Sequence, residues 1–257
     1  STLLVLQNLT RQRYLETMRR DFVSNISHEL RTPLASLKAL TETLQDGALE
    51  DVTAARRFLQ LIQAEVDALS QMVTELLELS RLESGRVPLK MQPISPREVL
   101  LTALERLRVQ AERSGLTINL DTPDDLPLIL ADPQRLEQVI VNLLHNPIKF
   151  TPAGGQVILG ARQSQLSELD LASVQPETEN LITGALFYVQ DTGQGIPAHE
   201  LSRIFERFYK IDRARSSSGT GLGLAIARHT VEANGGKIWA ASIEGKGSTF
   251  YFFIPST

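Results

Sequence analysis

Apolar residues recur along the first third of the chain with the period of a helix. Phe22, Ile26, Leu30, Leu34, Leu37 and Leu44 follow one another at steps of three, four or seven, which lays them along one stripe of an amphipathic helix. The pattern predicts a first helix over about 10–46, with Pro33 removing one backbone donor and bending it. Phe58, Ile62, Val66, Leu69, Val73, Leu76 and Leu79 repeat at near-heptad spacing and predict a second helix over about 52–83. Glycine is confined to Gly47 and Gly85 before residue 93, where it reads as helix-end punctuation. A two-helix hairpin cannot bury its own apolar face. Pairing two chains into a four-helix bundle can.

The linker from Gly85 to Pro96 changes the texture. Ser95, with Glu98 three residues later, reads as the N-cap of a helix ending near Ser114. Residues 116–120 and 128–131 read as strands, and Asp132-Pro133 opens a helix running to Asn146. Residues 156–161 and 186–190 read as strands, with the polar stretch 163–184 between them expected to be a long exposed loop. A helix over about 223–234 and a hairpin of 237–243 and 248–254 around Glu244-Gly-Lys-Gly247 complete the chain. Strands and helices mix without strict alternation, so the expected fold class is α+β: an N-terminal antiparallel helical hairpin followed by an α/β sandwich rather than a Rossmann sheet.

Composition narrows the function classes. The 257 residues suffice for two modest domains, and 42% hydrophobic with 22% charged residues is ordinary for a globular protein. A net charge of -4 without a long basic run argues against a nucleic-acid partner. The absence of cysteine excludes disulfides and thiolate metal sites and fits a reducing compartment. No apolar run approaches the length of a membrane span. Because the chain starts at Ser1, it is expected to be a cytoplasmic piece of something longer, with any membrane attachment in segments absent from it.

The chemistry begins at His28. It lies two residues past Ile26, about 200° around the helix, and so points away from the apolar stripe. An imidazole is substantially neutral and nucleophilic near pH 7. Glu29 beside it could take the proton of one ring nitrogen and leave the other free to attack. Alone, such a pair is an ordinary surface pair. Four later segments change the picture. Asn142, Asn146 and Lys149 share one helix face, next to Phe150; carboxamide oxygens suit Mg²⁺ and a lysine suits phosphate. Asp191-Thr-Gly193-Gln-Gly195 follows an apolar strand, offering a carboxylate to an exocyclic amine and glycines that let a ligand approach the backbone. Ile204 to Lys210 is aromatic and basic, and leads into the serine-rich 216–218. Gly219-Thr-Gly221-Leu222-Gly223 runs from loop into helix, where backbone donors bind anions. It is neither a Walker loop nor the dinucleotide fingerprint. Taken singly, these segments also fit a solvated helix face or a tight turn.

In this order, the five segments resemble the sensor histidine kinases of two-component signalling. Phe22–Leu34 resembles the H box, Asn142–Thr151 the N box, Asp191–Pro197 the G1 box, Ile204–Lys210 the F box and Gly219–Leu224 the G2 box. Residues 3–10 resemble the last strand of a PAS sensor domain leading into its exit helix. The resemblance divides the chain into 1–20 (end of an upstream sensor), 21–88 (dimerisation and phosphotransfer) and 89–257 (a Bergerat-type ATP-binding sandwich). It implies ATP and Mg²⁺ as cofactors, a homodimer, and the receiver domain of a response regulator as partner. It implies His28 as phosphoacceptor and Thr32, one turn on, as a residue for dephosphorylating the regulator. It further implies Asn142 and Asn146 as metal ligands, Lys149 and Lys210 on the phosphates, Asp191 reading adenine, and Gly219, Gly221 and Gly223 hinging a lid. Phe150, Gly193, Gly195 and Leu222 complete the expected nucleotide site. One departure stands out: Pro147 occupies a position where the family usually has alanine. Either the helix ends at Asn146 or the metal site is distorted, which leaves a nucleotide-binding dimer with weak kinase activity as the alternative.

Overall fold

The computed structural model describes residues 10–83, 88–165, 182–211 and 219–256. These fall into two compact units, the first extending to Thr74 and also taking in Gly219 and Thr220, the second beginning at Glu75. The expected sensor-domain remnant at 3–9 and the serine-rich 216–218 lie outside the described residues.

The first unit is built on α1 (Thr10–Thr43) and the larger part of α2 (Val52–Glu83). Pro33 stays inside α1. That helix ends three residues short of the expected Asp46 and gives way to a π-helical turn over Leu44–Ala48. Asp46 (ψ 16°) and Gly47 (φ 118°) leave the helical region there, and glycine alone takes such a φ without strain. Asp51 restarts the helix by accepting the Thr53 and Ala54 amides at 2.8 and 3.2 Å. Along the predicted stripes, Leu34, Val66 and Val73 remain exposed. A single copy does not cover them.

The second unit holds a five-stranded sheet in the order β2-β4-β5-β7-β6, made of β2 (Thr117–Asp121), β4 (Gln156–Gln165), β5 (Thr183–Asp191), β6 (Lys237–Ile243) and β7 (Gly247–Pro255). Only the β2–β4 pair is parallel. A separate two-stranded ribbon pairs β1 (Gln92–Ile94) with β3 (Ile129–Ala131). The helices α3 (Pro96–Arg113), α4 (Pro133–Phe150) and α5 (Gly223–Ala233) complete the sandwich. Strand alternation turns Val157, Leu159, Phe187, Val189, Phe250 and Phe252 into the core, where the Phe187 and Phe252 rings stack 4.5 Å apart. The other face stacks Trp239 on Tyr251.

Three expectations change. The strand β1 was not foreseen, because three residues are too few to show alternation. The polar stretch 163–184 is shorter as a loop than expected, since β4 continues to Gln165 and β5 starts at Thr183 in register with it; its centre lies outside the described residues. The helix α4 does not stop at Asn146. It runs through Pro147 to Phe150, and the Thr151 amide donates to the Pro147 carbonyl at 2.9 Å. Pro147 is buried with Leu143, Leu144 and Ile148, so burial of that apolar stripe outweighs the missing backbone donor.

One buried knot fixes the two helices that carry the motifs. Asp132 caps α4 through the Arg135 amide (3.2 Å) and accepts the Lys90 amide (3.0 Å), while its own amide donates to Asn234 Oδ1 at the end of α5 (3.1 Å).

Candidate active site

His28 is exposed on α1, beside a half-buried Glu29. Thr32 is also exposed, and its hydroxyl lies 3.5 Å from the His28 carbonyl. This face therefore offers an accessible imidazole with a carboxylate and a hydroxyl as neighbours.

In the second unit, α4 presents Asn142, Asn146, Lys149 and Phe150. Asn142 Nδ2 donates to the Gly223 carbonyl (3.1 Å), and its oxygen accepts from Gln138 Nε2 (3.0 Å), tying α4 to the start of α5. Lys149 lies 4.7 Å over the Phe150 ring. Burial, and then the Lys210 charge, hold its ammonium below the ordinary lysine pKa. Two cations that repel one another in this way favour an anion between or beside them. Among the described residues no cluster of three His, Cys, Asp or Glu side chains could hold a metal. A hard divalent ion would depend on carboxamide oxygens and ligand phosphates, a donor set that suits Mg²⁺, which keeps waters and takes few protein ligands.

Asp191 ends β5 and is 9% exposed. Burial pushes its carboxyl up from the usual range, while the Gly193 and Ser248 amides pull it back down; the first bond is 2.8 Å. The carboxylate is thus fixed by two backbone donors, one from its own loop and one from β7. The sequence pointed to glycines that admit a ligand. The structure shows that they first admit the protein. A Cβ on Gly195 (φ 73°) would lie 2.2 Å from the Ile243 carbonyl oxygen, and one on Gly247 would lie 2.0 Å from the Asp191 carbonyl oxygen. Ser242 completes the stitching. Its hydroxyl accepts the Ile196 amide at 2.7 Å, donates to the Gly247 carbonyl at 2.8 Å and lies 3.0 Å from Ser248 Oγ. Ser242, Gly247 and Ser248 were missed in the sequence, where Gly-Lys-Gly247-Ser248 reads only as a hairpin turn.

The aromatic segment meets the glycine loop through Phe208, whose amide donates to the Gly221 carbonyl at 2.9 Å. Leu222 is fully buried and precedes α5. Gly219 has φ 104°. Arg207, from the aromatic segment, pairs with Glu83 in the last turn of α2, and His229 Nε2 lies 3.6 Å from the same carboxylate.

Residues 18–85 match the family described as His Kinase A (phospho-acceptor) domain, and residues 131–257 match Histidine kinase-, DNA gyrase B-, and HSP90-like ATPase. The chain belongs to the sensor histidine kinases of two-component systems. Sensor histidine kinase WalK of Bacillus subtilis (strain 168) is 36% identical over 98% of this chain and 39% of its own length. Sensor protein kinase WalK of Staphylococcus aureus is 33% identical over 98% of this chain and 57% of its own. The chain thus spans about two fifths to three fifths of these relatives. Among solved structures, full-length ShkA in complex with AMPPNP shares 27% identity at a TM-score of 0.62, over 90% of this chain and 46% of that one. Histidine kinase ThkA in complex with response regulator TrrA has a TM-score of 0.71 over 97% of this chain and 65% of that one; at 21% identity it speaks to the fold alone. The expected α+β architecture of a sensor histidine kinase holds.

Proposed function

We propose that this chain is the phosphotransfer and ATP-binding part of a dimeric, ATP-dependent protein histidine kinase. The exposed apolar stripes of α1 and α2 join two copies into a four-helix bundle. His28 attacks the γ-phosphorus of ATP with one ring nitrogen while Glu29 holds the proton on the other. The N–P bond forms, the bond from γ-phosphorus to the β,γ-bridging oxygen breaks, and ADP leaves with its charge. Such transfer depends on positioning and charge neutralisation. Lys149 and Lys210 neutralise the phosphates, and Asp191, with Gly193 and Gly195, receives adenine. Gly219, Gly221, Leu222 and Gly223 shape the loop over the phosphates. Asn142 and Asn146 would hold Mg²⁺, which screens phosphate charge when bound. The phosphoryl group then passes to an aspartate on a response-regulator receiver domain, and Thr32 serves the reverse, dephosphorylating reaction. Among the described residues no helix is long and apolar enough to cross a membrane; we place this part in the cytoplasm, with any anchor in segments outside the chain.

The observation that carries the reading is the exposed His28 with Glu29 beside it on α1, within residues that match the phospho-acceptor family. The test is labelling with γ-labelled ATP. Acid-labile, base-stable phosphate is expected on the wild type and none on His28→Ala, which should still bind nucleotide. Undiminished label in that variant would refute the assignment. Pro147 inside α4 favours one second reading, a nucleotide-binding signalling dimer with weak kinase activity. Nucleotide binding without label on the wild type would support it.

A further inference from the structure

Thr151 caps the C-terminal end of α4 and is 7% exposed. Its hydroxyl oxygen is buried and, among the described residues, has no hydrogen-bond partner. Buried polar groups are nearly always paired, and an orphan asks for a ligand or an ordered water. Its position indicates which. The point where a Cβ on Gly193 would sit lies 2.8 Å from Asp191 Oδ1, 3.1 Å from the Phe150 carbonyl oxygen and 3.1 Å from Thr151 Oγ1. Three oxygens from two different segments converge there, and the residue between them is the one type without a side chain. The carboxylate and the carbonyl can only accept. The threonine hydroxyl can accept and donate. Such a lining suits a group that donates, or a water that donates in turn. Its carboxylate and its carbonyl repel a group that only accepts.

We propose that Thr151 is a base-reading residue: with Asp191 it receives the exocyclic amine of a 6-aminopurine, directly or through one water, and it disfavours a 6-oxopurine, whose oxygen would face the same acceptors. This rests on the nucleotide-site reading above and names a determinant of its specificity. No described protein group pairs with the hydroxyl, so its contribution belongs to binding rather than to folding.

The test compares Thr151→Val, which keeps the shape and removes the hydroxyl, with Thr151→Ser, which keeps the hydroxyl. Binding of ATP, GTP and magnesium tripolyphosphate is measured on the whole chain, with thermal unfolding in the absence of nucleotide. Thr151→Val should bind ATP about tenfold more weakly. Its GTP and tripolyphosphate affinities should be unchanged, and its melting temperature equal to or above wild type. Thr151→Ser should restore ATP affinity. Wild-type ATP affinity in Thr151→Val overturns the proposal. So does a loss shared equally by ATP and tripolyphosphate with a fall in melting temperature, which marks a structural role. A wild type that binds tripolyphosphate but shows no preference for ATP over GTP overturns it too. A wild type that binds no nucleotide refutes the underlying site and the proposal together, and is recognised by the wild-type measurement alone.

Discussion

Phe208 and Gly221 interlock through their backbones. The Phe208 amide reaches the Gly221 carbonyl at 2.9 Å from a left-handed conformation with φ 60°, and a Cβ on Gly221 would lie 2.8 Å from the Phe208 Cα. A bulky residue held at positive φ costs about 1–3 kcal/mol and persists only where its surroundings enforce it. The enforcing neighbour here is a glycine at φ 71°. Gly221→Ala should therefore destabilise the second unit by roughly 1–3 kcal/mol and weaken ATP binding. Gly223→Ala should leave stability unchanged or raised, since its nearest neighbour, Asn142 Cγ, is 3.8 Å away and alanine favours the first turn of α5. Thermal unfolding of the two variants checks this; equal melting temperatures would contradict it.

Lys149 gives a prediction in pH. Its pKa is lowered by burial and then by Lys210. The penalty falls on the protonated form, so it is fully present below the lowered pKa and absent above the unfolded-state value of 10.5. A phosphate that pairs with the ammonium removes the penalty and raises the pKa. ATP binding should therefore be accompanied by proton uptake at alkaline pH, between the free and bound values, and by none at pH 7. Titration calorimetry in two buffers of different ionisation heat measures the uptake. Lys149→Met should abolish it. Wild-type binding with no uptake at any alkaline pH would place the phosphates elsewhere.

Pro147 is carried inside a continuous α4, where it can supply no amide to the carbonyl four residues back. Pro147→Ala restores that bond and removes the ring. A gain of about 1–3 kcal/mol is expected, less the apolar contact of the lost ring carbons, together with tighter Mg-ATP binding through a straighter Asn146. Chemical denaturation and nucleotide titration read the two effects. No change in either would mean that the helix is shaped for proline.

Strong local signals carried most of the fold. The heptad run of α2 and the caps at Ser95 and Asp132 lie within a few residues of the elements they define. What escaped has no local signal. Ser242 meets Ile196 across 46 residues of sequence, and it is the pairing of β5 with β7 that brings the hairpin turn onto the Asp191 loop. The need for glycine at 195 and 221 was legible, but its cause was not. Each makes room for another part of the backbone, Ile243 in one case and Phe208 in the other. The helix boundary at Pro147 was misjudged because proline's local cost was weighed without the burial of Leu143, Leu144 and Ile148 beside it.

The role proposed for Thr32 is testable because it would separate the forward from the reverse reaction. Its hydroxyl is exposed, on the face of His28, and its 3.5 Å approach to the His28 carbonyl is at the weak limit of a hydrogen bond. The oxygen's lone pairs remain available to a water. A water held there, in line with a phosphoaspartate on a docked regulator, would be the nucleophile of dephosphorylation. A purely structural threonine beside Pro33 would instead support the helix next to the proline. Thr32→Ala should keep His28 labelling within about twofold of wild type and lose most regulator dephosphorylation, roughly tenfold or more, as positioning losses commonly do. Thr32→Ser should retain both. If Thr32 only supports the helix, labelling, dephosphorylation and melting temperature should fall together in the alanine variant. Full dephosphorylation by Thr32→Ala would exclude the catalytic role.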